Sequence, residues 1–311
     1  MLGANLGLLL TMFAWGSMIP AVNIMVQTWD PYFLTAARYI AAAPILLLLL
    51  ALVEPGRRGG PSVASWRLWL LGTVGIGIFS PLFILGIAHS NPVTAAVLAA
   101  AGPVITAIVA WLSFRVPMER GLVPAILFAV VGGLLATYDP NVVGAPFDLR
   151  GGEVLILLAS ACWAWYSLAA QRWLAGWSQL RITTMTMSCG GVVAVIVFLL
   201  FGAFGVAPLP PTIPLSAQDL GLFTWMTLGP VIMGFFLWNY GVRKLGILVA
   251  SLFLNLTPVA AILITAALGT YPTATQILDA TLVVAGVLQS QLRYRLPWGR
   301  NGRSTATSRE R

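Results

Sequence analysis

The 311-residue chain carries 17 basic and 9 acidic side chains, so only 8% of its residues are charged, and 59% are hydrophobic. Ordinary soluble domains contain roughly a quarter charged residues. With a mean hydropathy of +0.91, the chain has too few polar groups to cover a globular surface in water. The composition therefore excludes a soluble protein and predicts that lipid surrounds most of the molecule.

Apolar runs recur along the chain at about the 20-residue length that a membrane-spanning helix needs. Proline and glycine mark nearly every break between them. The first run begins directly after Met1 and lacks a basic segment before it, so we expect a first span rather than a cleaved signal. Ten spans are predicted, over residues 5–26, 32–53, 67–88, 92–114, 121–138, 152–174, 181–204, 219–242, 246–268 and 274–294.

Basic residues are distributed unevenly between the two sides of the predicted membrane. With the connections numbered alternately, one set plus the C-terminal tail holds 15 of the 17 Lys and Arg residues, and the other set holds Arg150 alone. Cytoplasmic loops retain excess Lys and Arg, so both termini are predicted to be cytoplasmic. Topology therefore explains the net charge of +8 better than nucleic-acid binding does. The basic tail over 295–311 is expected to be disordered and to touch anionic lipid.

The two halves of the chain share an ordered set of residues. At an offset of 148, Trp15 matches Trp163, and an offset of 155 relates Gly86 to Gly241, Ala95 to Ala250, Pro103 to Pro258 and Pro117 to Pro272. Five spans per half is an odd number, so the second copy must cross the membrane in the opposite sense. We therefore predict a first five-helix repeat over 1–150 and an inverted second repeat over 151–294, the arrangement of many transporters.

Two prolines interrupt predicted helices at matching positions. Pro103 and Pro258 lie about halfway along the fourth and ninth spans, and each removes a main-chain hydrogen bond and kinks its helix. Proline is common in membrane helices and often only bends them. Because the two prolines match, we expect them to act as hinges that line a central cavity.

An ordered set of motifs runs along the chain: Ala14-Trp15-Gly16, Pro31, Arg38, Pro103, Pro258, Glu119 and Gly132-Gly133. In this set the chain resembles the EamA-type ten-helix members of the drug/metabolite transporter superfamily over nearly its whole length, and most closely the YddG-type amino-acid exporters. The resemblance implies an all-α integral membrane protein with a central cavity lined by helices 1, 3, 4, 6, 8 and 9, and with helices 5 and 10 peripheral. In one departure, Thr186 and Ala274 stand in the second half where the first half has Arg38 and Glu119.

Three ionisable residues fall within or at the ends of the predicted spans. Arg38 lies about two turns inside the second span, where it either marks a functional site or bonds helix carbonyls and reaches toward Asp30. Asp279 lies in the peripheral tenth span, which favours a structural role. His89 ends the third span and is either a loop residue or a cavity contact. Since the predicted cavity helices contain no carboxylate, we expect substrate to move down its own gradient, with His89 the only titratable group near the path.

Neutral polar and aromatic side chains are the remaining candidates for contact with a substrate. Such residues form an apolar pocket with a few hydrogen-bonding groups, which suits an amino acid. Many tryptophans of membrane proteins instead form interfacial belts. The predicted substrate-binding residues are Trp15, Asn23, Phe79, Ser80, Phe83, His89, Thr94, Trp163, Trp238, Asn239, Tyr240 and Asn255.

The predicted function is a multi-pass exporter of amino acids or similar small metabolites in the bacterial cytoplasmic (inner) membrane, working by alternating access. The alternatives are a sugar-phosphate or nucleotide-sugar exchanger, a drug exporter of the same superfamily, and a channel. An enzyme is not expected, because no acid pair, metal cluster or activated nucleophile lies at membrane depth. We expect no cofactor, no metal and no nucleic-acid partner, and we expect a monomer in the lipid bilayer.

Overall fold

A computed structural model describes residues 2–55, 63–89, 102–116, 127, 151–213, 216–267 and 281. Within these residues the secondary structure is entirely helical. Apart from positions 127 and 281, the predicted fifth and tenth spans lie outside the described residues. The same holds for the basic tail and for Thr94, Pro117, Glu119, Gly132-Gly133, Pro272, Ala274 and Asp279.

In the first half, α1 spans Leu2–Met25, α2 spans Pro31–Val53, α3 spans Ser65–Gly72, α4 spans Phe79–Ala88 and α5 spans Gly102–Phe114. The start of α2 follows from local sequence. Asp30 caps the helix, since its Oδ1 accepts a hydrogen bond from the Phe33 main-chain N–H at 2.8 Å, and Pro31 suits the first turn, which needs no N–H donor there.

In the second half, α6 spans Gly152–Trp173, α7 spans Gln179–Ala203, α8 spans Ala217–Met226, α9 spans Phe235–Leu245, α10 spans Ile247–Leu254 and α11 spans Leu256–Ala267. Serine caps begin two of these helices. The Ser178 hydroxyl accepts from the Arg181 N–H and the Ser216 hydroxyl accepts from the Asp219 N–H, each at 3.0 Å.

Six helical stretches of the described chain are long and apolar enough to cross a membrane: Leu2–Val22, Pro31–Val53, Ser65–Gly86, Gly152–Trp173, Gln179–Ala203 and Ala217–Leu245. They coincide with the predicted first, second, third, sixth, seventh and eighth spans. Two shorter apolar helices, Gly102–Phe114 and Ile247–Ala261, fall where the fourth and ninth spans are predicted. Leu6, Leu10, Leu48 and Leu52 are at least half exposed, as expected of side chains that face lipid.

A π-helical segment interrupts the third predicted span over Thr73–Ile78, and another interrupts the eighth over Thr227–Gly234. The offset of 155 places residues 73–78 on 228–233, so the two segments occupy equivalent positions in the two halves. The sequence did not reveal them. π-helical turns are rare and frequently lie at functional sites. Both segments therefore help to locate the candidate site.

The two halves interlock rather than pack side by side. Helices α1 and α2 lie against α11, α9 and α7, and α4 lies against α6. Small residues permit these close contacts: a Cβ placed on Gly72 would come within 2.5 Å of the Gly190 main-chain nitrogen. The buried core therefore lies between the halves, and it includes Trp163, Phe235 and Trp238.

Candidate functional site: an aromatic cluster between the two halves

Five aromatic side chains from both halves meet at the centre of the molecule, and we call them the central aromatic cluster: Trp15, Phe79, Trp163, Phe235 and Trp238. The Trp163 ring centroid lies 5.5 Å from that of Trp15, 5.4 Å from Phe79, 5.2 Å from Phe235 and 5.6 Å from Trp238. These separations are those of directly interacting aromatic rings. Trp163 therefore touches every other member.

Trp163, Phe235 and Trp238 are buried and Trp15 and Phe79 are partly buried, whereas two tryptophans of α3 are exposed. Trp163 is 7% exposed and Trp238 is fully buried, while Trp66 is 55% exposed and Trp69 is 45% exposed. The exposure of Trp66 and Trp69 is the one expected of tryptophans in an interfacial belt. Trp163 and Trp238 instead lie inside the helical core.

The three indole N–H groups of the cluster differ in their hydrogen bonding. Trp15 donates to the main-chain oxygen of Pro230 at 3.0 Å, and Pro230 belongs to the π-helical segment Thr227–Gly234. Trp238 donates to the Ser167 hydroxyl at 2.9 Å. The Trp163 N–H is buried and has no hydrogen-bond partner among the described residues. Because an unpaired buried donor is costly, this N–H is a natural place for a ligand acceptor.

Three consecutive residues of α9 face different neighbours, since successive helix positions turn by about 100°. Trp238 enters the cluster. Asn239 is buried and donates to the Thr183 hydroxyl at 3.1 Å and to the Tyr166 hydroxyl at 3.5 Å. Tyr240 lies beside α1, and the Lys244 ammonium lies 6.0 Å from the centre of its ring.

Phe79, Ser80 and Phe83 follow the π-helical segment Thr73–Ile78. The Ser80 hydroxyl donates to the Tyr39 hydroxyl at 3.5 Å, and Phe83 stacks on Phe79 with 5.6 Å between ring centroids. Ser80 also lines a small cleft between α2, α4 and α7. The side chains of Tyr32, Thr35, Ser80, Ile84 and Phe198 form its walls.

Two further predicted site residues lie at the ends of helices. His89 is exposed just after α4, with its Nδ1 2.9 Å from the Leu85 main-chain oxygen. Asn255 separates α10 from α11, is buried, and leaves its Nδ2 unpaired.

Backbone position alone places Asn23 on α1 and Pro258 on α11, and Pro103 is buried in the first turn of α5. The interruption of the ninth predicted span thus comes at Asn255, three residues before the proline predicted as its hinge.

Sequence reasoning missed Phe235, Tyr39 and Tyr166, which complete the surroundings of Trp163. The Phe235 ring lies 6.2 Å from that of Trp15 and 6.2 Å from that of Tyr39, and the Tyr166 ring lies 5.6 Å from that of Trp163. Phe235 precedes Trp238 by three residues and Tyr166 follows Trp163 by three. That spacing places each pair on one helix face and was the signal available in the sequence.

Charge is nearly absent from the described part of the site. The acidic residues that the structure describes are Asp30, Glu54, Glu153 and Asp219, and each lies at the beginning or end of a helix. No group of three or more His, Cys, Asp or Glu residues that could hold a metal ion occurs among the described residues. The cluster offers ring faces and neutral hydrogen-bonding groups.

A model of the EamA-like transporter family matches the chain twice, over residues 2–138 and 150–290. The chain belongs to the EamA-like transporter family. It is thus a multi-pass membrane transporter, and the resemblance drawn from its motifs is confirmed. The two matches cover the two halves that the sequence offsets relate.

Similar proteins agree with this assignment. The "Uncharacterized transporter YyaM" of Bacillus subtilis is 29% identical over 91% of this chain and 91% of its own length. The "Probable terminal-alkyne amino-acid exporter" of Streptantibioticus cattleyicolor is 26% identical over 90% of this chain and 91% of its own. A protein of known crystal structure superposes with a TM-score of 0.77 at 18% identity, over 94% of this chain and 97% of that one. At this identity the structural likeness shows the fold alone.

Proposed function

We propose that this EamA-like transporter exports amino acids, aromatic and other neutral ones, or similar small metabolites across the bacterial cytoplasmic membrane. The observation that carries the proposal is the buried Trp163 N–H, which has no partner among the described residues and lies at the centre of an aromatic cluster between the two halves. Aromatic rings accommodate an apolar side chain and attract an ammonium group through their faces. The indole N–H supplies a donor for an oxygen atom of the cargo.

The same cluster supports alternating access. Trp15 comes from the first half and Trp163, Phe235 and Trp238 come from the second, and their rings touch. A cargo therefore enters only if the rings separate, which requires the two halves to move. Inverted repeats allow such movement to open the centre to one side and then to the other.

The charges of the described residues disfavour a phosphorylated cargo. Phosphate recognition calls for several fixed Lys or Arg groups, and Arg38 is the one buried basic residue in the described part of the chain. The described residues near the cluster also lack the buried acid that proton-coupled drug carriers commonly use. The relative named as an amino-acid exporter points toward the same cargo class.

The proposal includes the full predicted topology: ten helices in two inverted repeats, with both termini in the cytoplasm. A chain in which Cys162 and Cys189 are replaced by alanine provides the background for labelling. In intact cells a membrane-impermeant maleimide should label Ala145→Cys, in a predicted outer connection, and should label Ser304→Cys only after permeabilisation. The reverse pattern would invert the topology.

Exchange in liposomes tests the function. Liposomes that contain the purified protein and are loaded with unlabelled amino acids should take up a labelled amino acid by counterflow, and the rate of uptake should saturate. A channel would show neither counterflow nor saturation. Trp163→Ala should abolish most of the exchange. Trp111→Ala is the matched control, because Trp111 is 53% exposed on α5, and it should leave the rate near that of the wild type.

A competition screen of the twenty amino acids against labelled phenylalanine then ranks the cargo. Absence of exchange with every amino acid would refute the proposal.

A further inference from the structure

Arg38 lies inside α2 and is only 6% exposed. Its Nε donates to the Leu34 main-chain oxygen at 3.3 Å, and one Nη contacts the Met18 sulfur at 2.9 Å. A guanidinium carries five N–H donors, and a thioether sulfur is a weak acceptor. Among the described residues, the hydrogen bonds of Arg38 engage its Nε and one Nη, and the other Nη is available to a ligand.

No carboxylate of the described residues lies within ion-pair distance of Arg38. The salt bridge found among these residues joins Arg181 to Glu54 at 3.6 Å. Asp30, the acidic residue predicted as a partner, caps α2 by accepting from Phe33. A buried charge without a counter-ion is expensive, above all in a membrane. An anion bound beside Arg38 would offset that cost.

The position of Arg38 relates it to the central aromatic cluster. Met18 follows Trp15 by three residues on α1, so the two share a helix face and are about 4.5 Å apart along its axis. Tyr39, the neighbour of Arg38, packs its ring against Phe235 at 6.2 Å. Arg38 thus contacts a residue of α1 that lies about one helical turn from Trp15, and it reaches toward the end of α2 that begins at Pro31.

We infer that Arg38 binds the carboxylate of the transported amino acid while the amino-acid side chain occupies the aromatic cluster. In an α-amino acid, both groups branch from one carbon atom, which suits two sites that contact residues one helical turn apart on α1. The planar guanidinium matches a carboxylate with two parallel hydrogen bonds. This inference rests on the proposed function and makes it specific for carboxylate-bearing cargo.

The second half has no equivalent cation, since Thr186 occupies the aligned position, where its hydroxyl donates to the Ile182 main-chain oxygen at 2.8 Å within α7. The carboxylate subsite is therefore one-sided. It lies on the side of the cluster that is predicted to face outward, along the route by which an exported substrate leaves.

The test compares L-phenylalanine with phenethylamine, which lacks only the carboxylate. Binding of each is measured in detergent through the intrinsic tryptophan fluorescence of the full chain, and exchange is measured in liposomes. Arg38→Gln should weaken phenylalanine binding about tenfold or more, the loss expected for a charge-assisted hydrogen bond. The affinity for phenethylamine should change less than about twofold by the same reasoning. Arg38→Lys, which keeps the charge but not the two-pronged donor, should give an intermediate loss.

Two control variants separate this role from a structural one. Met18→Leu removes the sulfur contact, and Arg181→Gln removes an arginine paired elsewhere with Glu54. Both should leave the ratio of the two affinities unchanged. Suppose that the wild type exchanges amino acids. The inference is then overturned if the Arg38 variants keep the wild-type ratio of affinities for phenylalanine and phenethylamine, whether they bind both compounds normally or bind both equally weakly. The proposed function would survive either result. A wild type that exchanges no amino acid refutes both.

Discussion

Trp15 and Trp163 occupy equivalent positions in the two halves of the chain, and their rings touch at the centre, yet their indole N–H groups differ. Trp15 donates to the Pro230 carbonyl, whereas the Trp163 N–H is buried and has no partner among the described residues. The offset of 155 relates Pro230 to Gly75, which lies in the other π-helical segment. Near Gly75 it is the Tyr166 ring that approaches closely: a Cβ there would lie 2.5 Å from it.

The difference shows how two related halves acquire separate tasks. In one half the tryptophan is anchored to a π-helical carbonyl and holds α1 against the eighth predicted span. In the other half a tyrosine ring packs on the equivalent π-helical segment, and the tryptophan N–H has no partner among the described residues. The following predictions test this difference, from the largest expected change in stability to the smallest.

Gly234→Ala should break the anchored side. A Cβ at this position would lie 2.7 Å from the Trp15 Nε1, so the indole must move away from Pro230. We expect the free energy of unfolding in detergent to fall by about 1–3 kcal/mol, as for other overpacked cores. Gly221→Ala is the matched control, because a Cβ added at Gly221 would have no atom within 4 Å, and it should be neutral or slightly stabilising. Equal stability of the Gly234 variant and the wild type would mean that the anchor is not rigid.

Ser167→Ala should create a second unpaired indole N–H within the central aromatic cluster. The Ser167 hydroxyl accepts from Trp238 at 2.9 Å in a fully buried position. Its removal should lower the free energy of unfolding by about 1–2 kcal/mol, because a buried donor loses its acceptor. Ser188→Ala removes a hydroxyl that donates to Thr184 within α7 and should have a smaller effect. If both variants have the same free energy of unfolding, the Trp238 hydrogen bond contributes little to stability.

Replacing each matched tryptophan by phenylalanine isolates the hydrogen bond. Both changes reduce ring size in the same cluster, but only Trp15→Phe also removes a donor from the Pro230 carbonyl. We expect Trp15→Phe to cost about 1 kcal/mol more in unfolding free energy than Trp163→Phe. A reversed order would contradict the assignment of Trp15 as the anchored member.

The transport rates of the same two variants should show the opposite order. Trp163→Phe should raise the half-saturating concentration of phenylalanine about five- to tenfold, since it deletes a donor to the cargo. Trp15→Phe, whose donor is already engaged, should change it less than about twofold on the same scale. Equal effects on the half-saturating concentration would show that the rings, and not the indole N–H groups, recognise the cargo.

Local patterns predicted much of the fold because membrane helices must satisfy their main-chain hydrogen bonds internally. Apolar runs alone placed α1, α2, α6 and α7 within a few residues of their observed ends. The two π-helical segments could not be predicted, since they depend on tight contacts such as that of Gly75 with Tyr166. The candidate site was predicted in part: Trp15 and Trp163 stood out as a matched pair, while Phe235 and Tyr39 did not stand out among the other aromatic residues.

The sequence by itself determined that this chain is a membrane transporter of two related halves. Composition and span length depend on residues close to one another in the chain, and the repeat is visible as a fixed offset between matching residues. Only the tertiary structure decided which tryptophan N–H is engaged and that the buried Arg38 lacks a carboxylate partner among the described residues. Those outcomes depend on atoms such as the Pro230 oxygen, which lies 215 residues from Trp15 along the chain. Hydrogen-bond partners so distant in sequence are set by how the helices pack.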